Sequence, residues 1–143
     1  MKIVGTGSCL PQRVVSNDDL AAIMDTSDEW ISSRTGIRNR HIATTETTTS
    51  LACDAVKSAL QDAGIDGSEI DLIIAASVST DKIVPSLACQ IQAEIGAGSA
   101  VAFDINAACS GFLFGLATAD AYFKTGRFHK ACLLYTSPSP RDA

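Results

Sequence analysis

The chain has 143 residues, 46% hydrophobic and 19% charged, the length of one ordinary domain able to bury roughly 68% of its unfolded surface, which excludes a peptide, a disulfide-stapled miniprotein or a disordered segment. Eleven Lys and Arg against sixteen Asp and Glu give a net charge of −5, so there is no basic field to hold a nucleic-acid backbone. No run reads as a signal peptide or approaches the ~20 apolar residues of a membrane span, so neither nucleic acid nor membrane is an expected partner and the expected location is the cytoplasm.

The elements alternate in type along the chain. Residues 2–7 read as a short strand leaving through a glycine-rich turn, and Asn17 as the cap of a short helix over 18–24 with acids in its first turn. Thr26-Ser27-Asp28-Glu29 matches a capping box ahead of Trp30 and Ile31, which predicts a second helix to about Thr35, stopped at Gly36. Apolar positions 52, 55, 56, 59, 60 and 63 follow the helical period and end at Gly64. The continuous apolar run over 71–78 has the pattern of a parallel strand buried on both faces. Pro85-Ser86 opens a helix over 87–95, ended by Gly96. A second buried strand spans 100–105, a helix runs from 109 to 124 before Gly126, and a last strand runs from 130 or 131 to 135. Single helices between strands form βαβ units, so the fold class is α/β with a parallel or mixed sheet. The helix over 110–123 is apolar nearly all round, the mark of a buried central helix. The chain is too short to supply a covering layer on both of its sides.

Five cysteines stand at 9, 53, 89, 109 and 132 with no CxxC pair and no Cys/His cluster, so they read as free thiols and no metal is expected. Cys109 differs from the rest. It joins a buried strand to a helix N-terminus, where unpaired N–H groups and the helix dipole favour a thiolate. Its neighbours Ala107, Ala108, Ser110 and Gly111 are small enough to admit a substrate carbonyl. Strand, sharp turn, nucleophile and helix follow one another as in a nucleophile elbow. On these surroundings alone, Cys109 is either a nucleophile or the filler of a tight helix-sheet contact. Trp30 and Arg34 are four residues apart and share a helix face; taken alone, they read as a core Trp beside a solvated Arg. Arg38 and Arg40 read as a solvated face, and His41 and His129 as surface residues.

The segment 104–112, Asp-Ile-Asn-Ala-Ala-Cys-Ser-Gly-Phe, resembles the nucleophile segment of the β-ketoacyl-acyl carrier protein synthase III family, of the thiolase-like superfamily. The resemblance takes in Gly5-Thr6-Gly7 through Pro11, Asp25 to Ile31, Arg34-Thr35-Gly36-Ile37-Arg38 with Arg40-His41-Ile42-Ala43, and Pro85 to Gln92, and it covers residues 2–135. It implies the N-terminal half of a thiolase-like fold, in which a cysteine takes an acyl group from acyl-CoA and a carbanion from malonyl-acyl carrier protein then attacks the thioester. By this resemblance Cys109 is the acyl-accepting nucleophile and its N–H half of an oxyanion hole. Trp30 stacks on the CoA adenine and Arg34 meets the nucleotide's phosphates. Thr26 hydrogen-bonds the base, although the capping box competes for its hydroxyl. Val84 stands where relatives often carry an aromatic that reaches across a dimer into the neighbour's acyl pocket, so longer or branched primers are expected to fit. No cofactor is implied beyond acyl-CoA as substrate, and the partners are acyl-CoA, malonyl-acyl carrier protein and a second copy in a homodimer formed through the strand near 100–105.

The His and Asn that the family's decarboxylation requires belong by resemblance to the second half of the fold, so the chain is expected to be a fragment, inactive in condensation by itself. Residues 136–143, with prolines at 138 and 140, are unlike the family and resemble translated sequencing adaptor; an artefactual terminus is expected to begin between Ala131 and Thr136. The expected division is thus 1–135 as an incomplete thiolase-like half-domain and 136–143 as a tail. The alternatives are a related thiolase-fold synthase for long-chain, quinolone or polyketide products, a hydrolase using the same thiol, and a non-catalytic truncated domain.

Overall fold

The structure, a computed structural model, describes residues 1–136. The expected tail therefore lies outside the described residues except for Thr136, whose N–H donates to Ala76 O. The described residues divide into two compact units, one of Leu10–Glu46 and the other of Met1–Cys9 with the described chain from Thr47.

The larger unit is built on a three-stranded parallel sheet. β3 (Leu72–Ala76) is central, with β4 (Val101–Ile105) on one side and β5 (Ala131–Tyr135) on the other. Every residue of β3 is buried, as its unbroken apolar run requires, because each face carries a helical layer. On one face Ile73, Ala75 and Leu134 pack with Ala52, Ala55 and Val56 of α3 (Thr48–Ala63) and with Leu87, Ala88 and Ile91 of α4 (Leu87–Glu94). On the other, Leu72 and Ile74 pack with Ala119 of α5 (Gly111–Lys124), flanked by Phe103, Tyr122 and Phe128. Carboxylates distant in the chain satisfy the first N–H groups of α3 and α4, which otherwise have no partner within the helix. Asp81 accepts from the N–H groups of Thr48 and Thr49 at 3.1 and 2.7 Å, and Asp104 on β4 accepts from those of Leu87 and Ala88 at 2.9 and 2.7 Å.

The smaller unit pairs β1 (Arg13–Ser16) antiparallel with β2 (Asn39–Ile42), in register from Arg13 opposite Ile42 to Ser16 opposite Asn39. Between them lie α1 (Asn17–Ala21) and α2 (Asp28–Thr35). Gly36 closes α2 at φ 73°, a left-handed conformation open to glycine without steric cost.

Several sequence expectations are corrected. Residues 2–7 form no strand. A strand needs a ladder partner, and this segment instead lies across α3, so closely that a Cβ on Gly7 would stand 2.3 Å from Ala55 O; Thr6 N–H donates to Asp62 Oδ2 at 2.8 Å. The cap of α1 is Ser16, which forms a reciprocal box with Asp19, and Asn17 is the first helical residue. β4 is an edge strand with Val101 exposed and its other residues half-buried, because no further strand adjoins it among the described residues. The apolar helix α5 buries only Gly111, Gly115 and Ala119 against the sheet; Phe112, Leu113 and Phe114 face outward, Leu113 at 68% exposure. Its composition fits a helix covered on both sides, and one of those sides is uncovered among the described residues.

Candidate functional site

Cys109 lies in a single 3-10 turn, Ala108–Ser110, between the end of β4 and α5, so the helix proper begins two residues later than its sequence suggests. Within the turn Ser110 N–H donates to Ala107 O and Gly111 N–H to Ala108 O. Ala108 has φ 44°, a left-handed conformation that costs a residue with a Cβ of order 1 kcal/mol and recurs at functional turns. The sharp turn read from the sequence is present, and alanine rather than glycine bears its strain. Gly111 then brings α5 close against the sheet, where a Cβ would lie 2.9 Å from Ala76 Cβ.

Of the five free cysteines, Cys109 alone is exposed. The reading of it as filler between helix and sheet is therefore overturned. Burial pushes the thiol of Cys132 on β5 up to about 11, and that of Cys53 on α3 is also raised, by burial first and then by the charge of Glu94. Both are suited to packing, because a nucleophilic sulfur must ionise. Val84, in the loop before α4, is 82% exposed. Cys109 and Val84 belong to the larger unit.

Trp30, Arg34 and Thr26 belong to the smaller unit, on α2 and its approach. Trp30 is 54% exposed, so the reading of it as a core residue is wrong. The Arg34 guanidinium stacks on the indole, Cζ 4.5 Å from the ring centroid, and Nη1 donates to Trp30 O at 3.3 Å. Such a pair contributes about 0.5–1 kcal/mol at an exposed site. It also leaves an aromatic surface beside a cation, a pairing suited to a base with a phosphate. Asp25, Thr26, Ser27 and Trp30 line an adjoining open cavity of about 360 Å³. The α2 cap is Ser27, whose Oγ accepts from Trp30 N–H at 3.1 Å; the box predicted between Thr26 and Glu29 does not form, because the cap falls one residue later and puts Trp30, which has no acceptor to answer it, at the third helical position, so the Thr26 hydroxyl is not claimed by the cap.

The remaining charged candidates separate cleanly. Arg38 is solvated, as expected, with only a 3.8 Å contact to Asp28. Arg40, expected on the same face, is buried on β2, where Nη2 donates to Asn17 Oδ1 at 3.1 Å. His41 is exposed and its Nδ1–H donates to Pro11 O at 2.6 Å; His129 is exposed in the turn before β5. Sequence reasoning missed the roles of Asn17 and Asp104, because their partners lie eleven or more positions away along the chain, beyond any local pattern. The described residues hold no group of three or more His, Cys, Asp or Glu able to bind a metal, and none of their helices is long and apolar enough to cross a membrane.

A family model described as 3-Oxoacyl-[acyl-carrier-protein (ACP)] synthase III matches residues 103–137, the segment from β4 through the Cys109 turn and α5 to β5. The chain is 52% identical over 133 residues to the β-ketoacyl-[acyl-carrier-protein] synthase III of Streptococcus pneumoniae strain Hungary19A-6, an alignment covering 93% of this chain and 41% of that protein. Among solved structures it is similar to the 3-oxoacyl-[acyl-carrier-protein] synthase III of Aquifex aeolicus VF5, with TM-score 0.91, 47% identity and coverage of 95% of this chain and 44% of that one. It is also similar to the priming β-ketosynthase of the R1128 polyketide biosynthetic pathway, with TM-score 0.90, 36% identity and coverage of 95% and 41%. The chain thus spans about two fifths of the length of the relatives it matches. With its parallel sheet, its strand-turn-helix cysteine and these likenesses, the chain belongs to the β-ketoacyl-acyl carrier protein synthase III family, as a fragment of that thiolase-like fold.

Proposed function

We propose that this chain carries the acyl-accepting part of a synthase that primes fatty-acid synthesis by condensing acyl-CoA with malonyl-acyl carrier protein. The observation that carries the reading is the exposed Cys109 on a strained turn at the end of a parallel strand. In the first half-reaction Sγ attacks the thioester carbonyl of acyl-CoA, the bond from carbonyl carbon to CoA sulfur breaks, and CoA leaves as its thiol with the proton given up by Cys109. The Cys109 N–H faces the developing oxyanion as one of its two donors. Trp30 stacks on the adenine, Arg34 takes the nucleotide phosphates and Thr26 the base edge. The second half-reaction, in which malonyl thioester loses CO2 and its carbanion displaces Cys109, requires a His and an Asn that the family supplies from sequence beyond this chain, so the chain alone is acylated without condensing.

The same reading places Val84 at an acyl pocket shared across a homodimer, with room for longer or branched primers. The open ladder edge of β4, with Val101 exposed, supports pairing with a second copy. On this reading the protein works in the cytoplasm, on acyl-CoA and malonyl-acyl carrier protein. A second reading, a priming synthase for polyketide products, draws support from the 36% identity to such an enzyme; it shares the Cys109 step and differs in the primer accepted.

Mass spectrometry after incubation with acetyl-CoA or a branched acyl-CoA tests the proposal. The expected result is a single acyl adduct on Cys109, absent in Cys109→Ser, with no 3-oxoacyl product from the chain alone. Acylation of another cysteine, or no acylation of the equivalent cysteine in a full-length relative under the same conditions, would overturn it.

A further inference from the structure

The helix that carries Trp30 and Arg34 is held in place by very little apolar packing. Of its eight residues only Ile31 is buried, so its orientation must be set by other means. Apart from the solvent-exposed 3.8 Å contact of Arg38 with Asp28, the described polar contacts that tie α2 to the rest of its unit converge on Asn17, which is 1% exposed. Asn17 Nδ2 donates to Asp28 Oδ1 at the first residue of α2 and to Ile37 O just beyond its Gly36 cap, both at 2.8 Å. Its backbone N–H donates to Arg38 O at 3.1 Å. One side chain therefore grips both ends of the helix. Arg40 decides which way that amide points. A guanidinium has donors and no acceptor, so the Asn17 oxygen must face Arg40 Nη2, which leaves both amide hydrogens for α2. Arg40 is itself buried, with no other side-chain acceptor among the described residues and Nη1 unpartnered, so turning the amide over would strip the cation of that acceptor.

We propose that Asn17, oriented by Arg40, is the positioning residue that sets the Trp30–Arg34 platform; the inference rests on the reading of that platform as the nucleotide site of acyl-CoA. It assigns the two residues a role in substrate affinity although neither touches the nucleotide.

The test uses the whole chain and two readouts. One is the emission and acrylamide quenching of Trp30, the only tryptophan. The other is the affinity for adenosine 3′,5′-bisphosphate, the nucleotide end of CoA. In Asn17→Ala and in Asp28→Ala, Trp30 quenching is expected to change and affinity to fall about tenfold, equivalent to about 1.4 kcal/mol. Asp28→Asn keeps the carbonyl acceptor and is expected to stay within about twofold of the parent, a rescue that general destabilisation would not give. Hydrogen exchange of β3 serves as the control for an intact larger unit. Unchanged Trp30 quenching in both alanine variants overturns the positioning role. An altered quenching in the variants, with no nucleotide binding by the parent chain, keeps the positioning role and overturns the nucleotide reading.

Discussion

The two faces of the parallel sheet are made from the same kinds of residue and end in different states. On the α3–α4 face Ile73, Ala75, Leu87 and Ile91 are wholly enclosed, and Asp81 and Asp104 tie down the helix ends that cover them. On the α5 face enclosure stops at the helix's small residues, and Phe112, Leu113 and Phe114 stand in solvent. The first face is core in its own right, whereas the second is core on one side of a helix that also carries the candidate chemistry at its start. The difference teaches that apolar composition reports what a segment is built to touch, not what the present chain puts against it.

The largest expected contrast lies in truncation. Ile73→Ala should cost about 2–5 kcal/mol by lost burial and the cavity left behind, whereas Leu113→Ala, already solvated, should stay within about 0.5 kcal/mol. Urea denaturation of the two variants measures both, and equal losses would show that the α5 face is covered in solution. The thiols offer the next contrast. Cys132, held at about 11 by burial, is ionised in only about one molecule in a thousand at pH 8, so iodoacetamide should label exposed Cys109 at least about a hundredfold faster, read by peptide mass spectrometry. Third, Asp104→Ala removes the acceptor for two α4 N–H groups and should cost about 1–2 kcal/mol. Its effect on Cys109 labelling would show how strongly the sealed face governs the open one.

The smallest effect concerns the unit outside the sheet. Glu46 is lowered to about 2 by the N–H of Gln12 first and then by those of Thr44, Glu46 and Thr45. Its folded value lies below the ordinary 4.5, so its contribution is complete above about pH 4.5 and is lost as pH falls through about 2. Trp30 emission followed from pH 5 to pH 2 should drift in the parent and stay flatter in Glu46→Gln across that window.

Much of the larger unit was legible from local signals. Helical spacing and Gly64 marked α3, Ser86 marked the start of α4, and the unbroken Leu72–Ala76 run marked a strand enclosed on both faces. The β1–β2 pair was not legible, because four-residue strands of mixed polarity declare themselves only through partners more than twenty positions away. Residues 2–7 look like a strand and form none, since a ladder is a property of two segments. At the site, the spacing of Trp30 and Arg34 gave their shared face, and the small residues around Cys109 gave its accessible turn. The brace at Asn17 and the left-handed Ala108 lay beyond reach, the first for its long-range partners and the second because alanine carries no mark of positive φ.

The register of the central strand also dictates an order of assembly. Leu72 finds Val101 on one side and Ala131 on the other, so the ladder with β4 closes over the shorter loop and the β5 ladder must wait for the segment through α5 to emerge. Until Leu134 arrives, the enclosed layer between sheet and helices lacks one of its walls, and a growing polypeptide at that stage presents a half-built hydrophobic slot to chaperones and neighbouring chains.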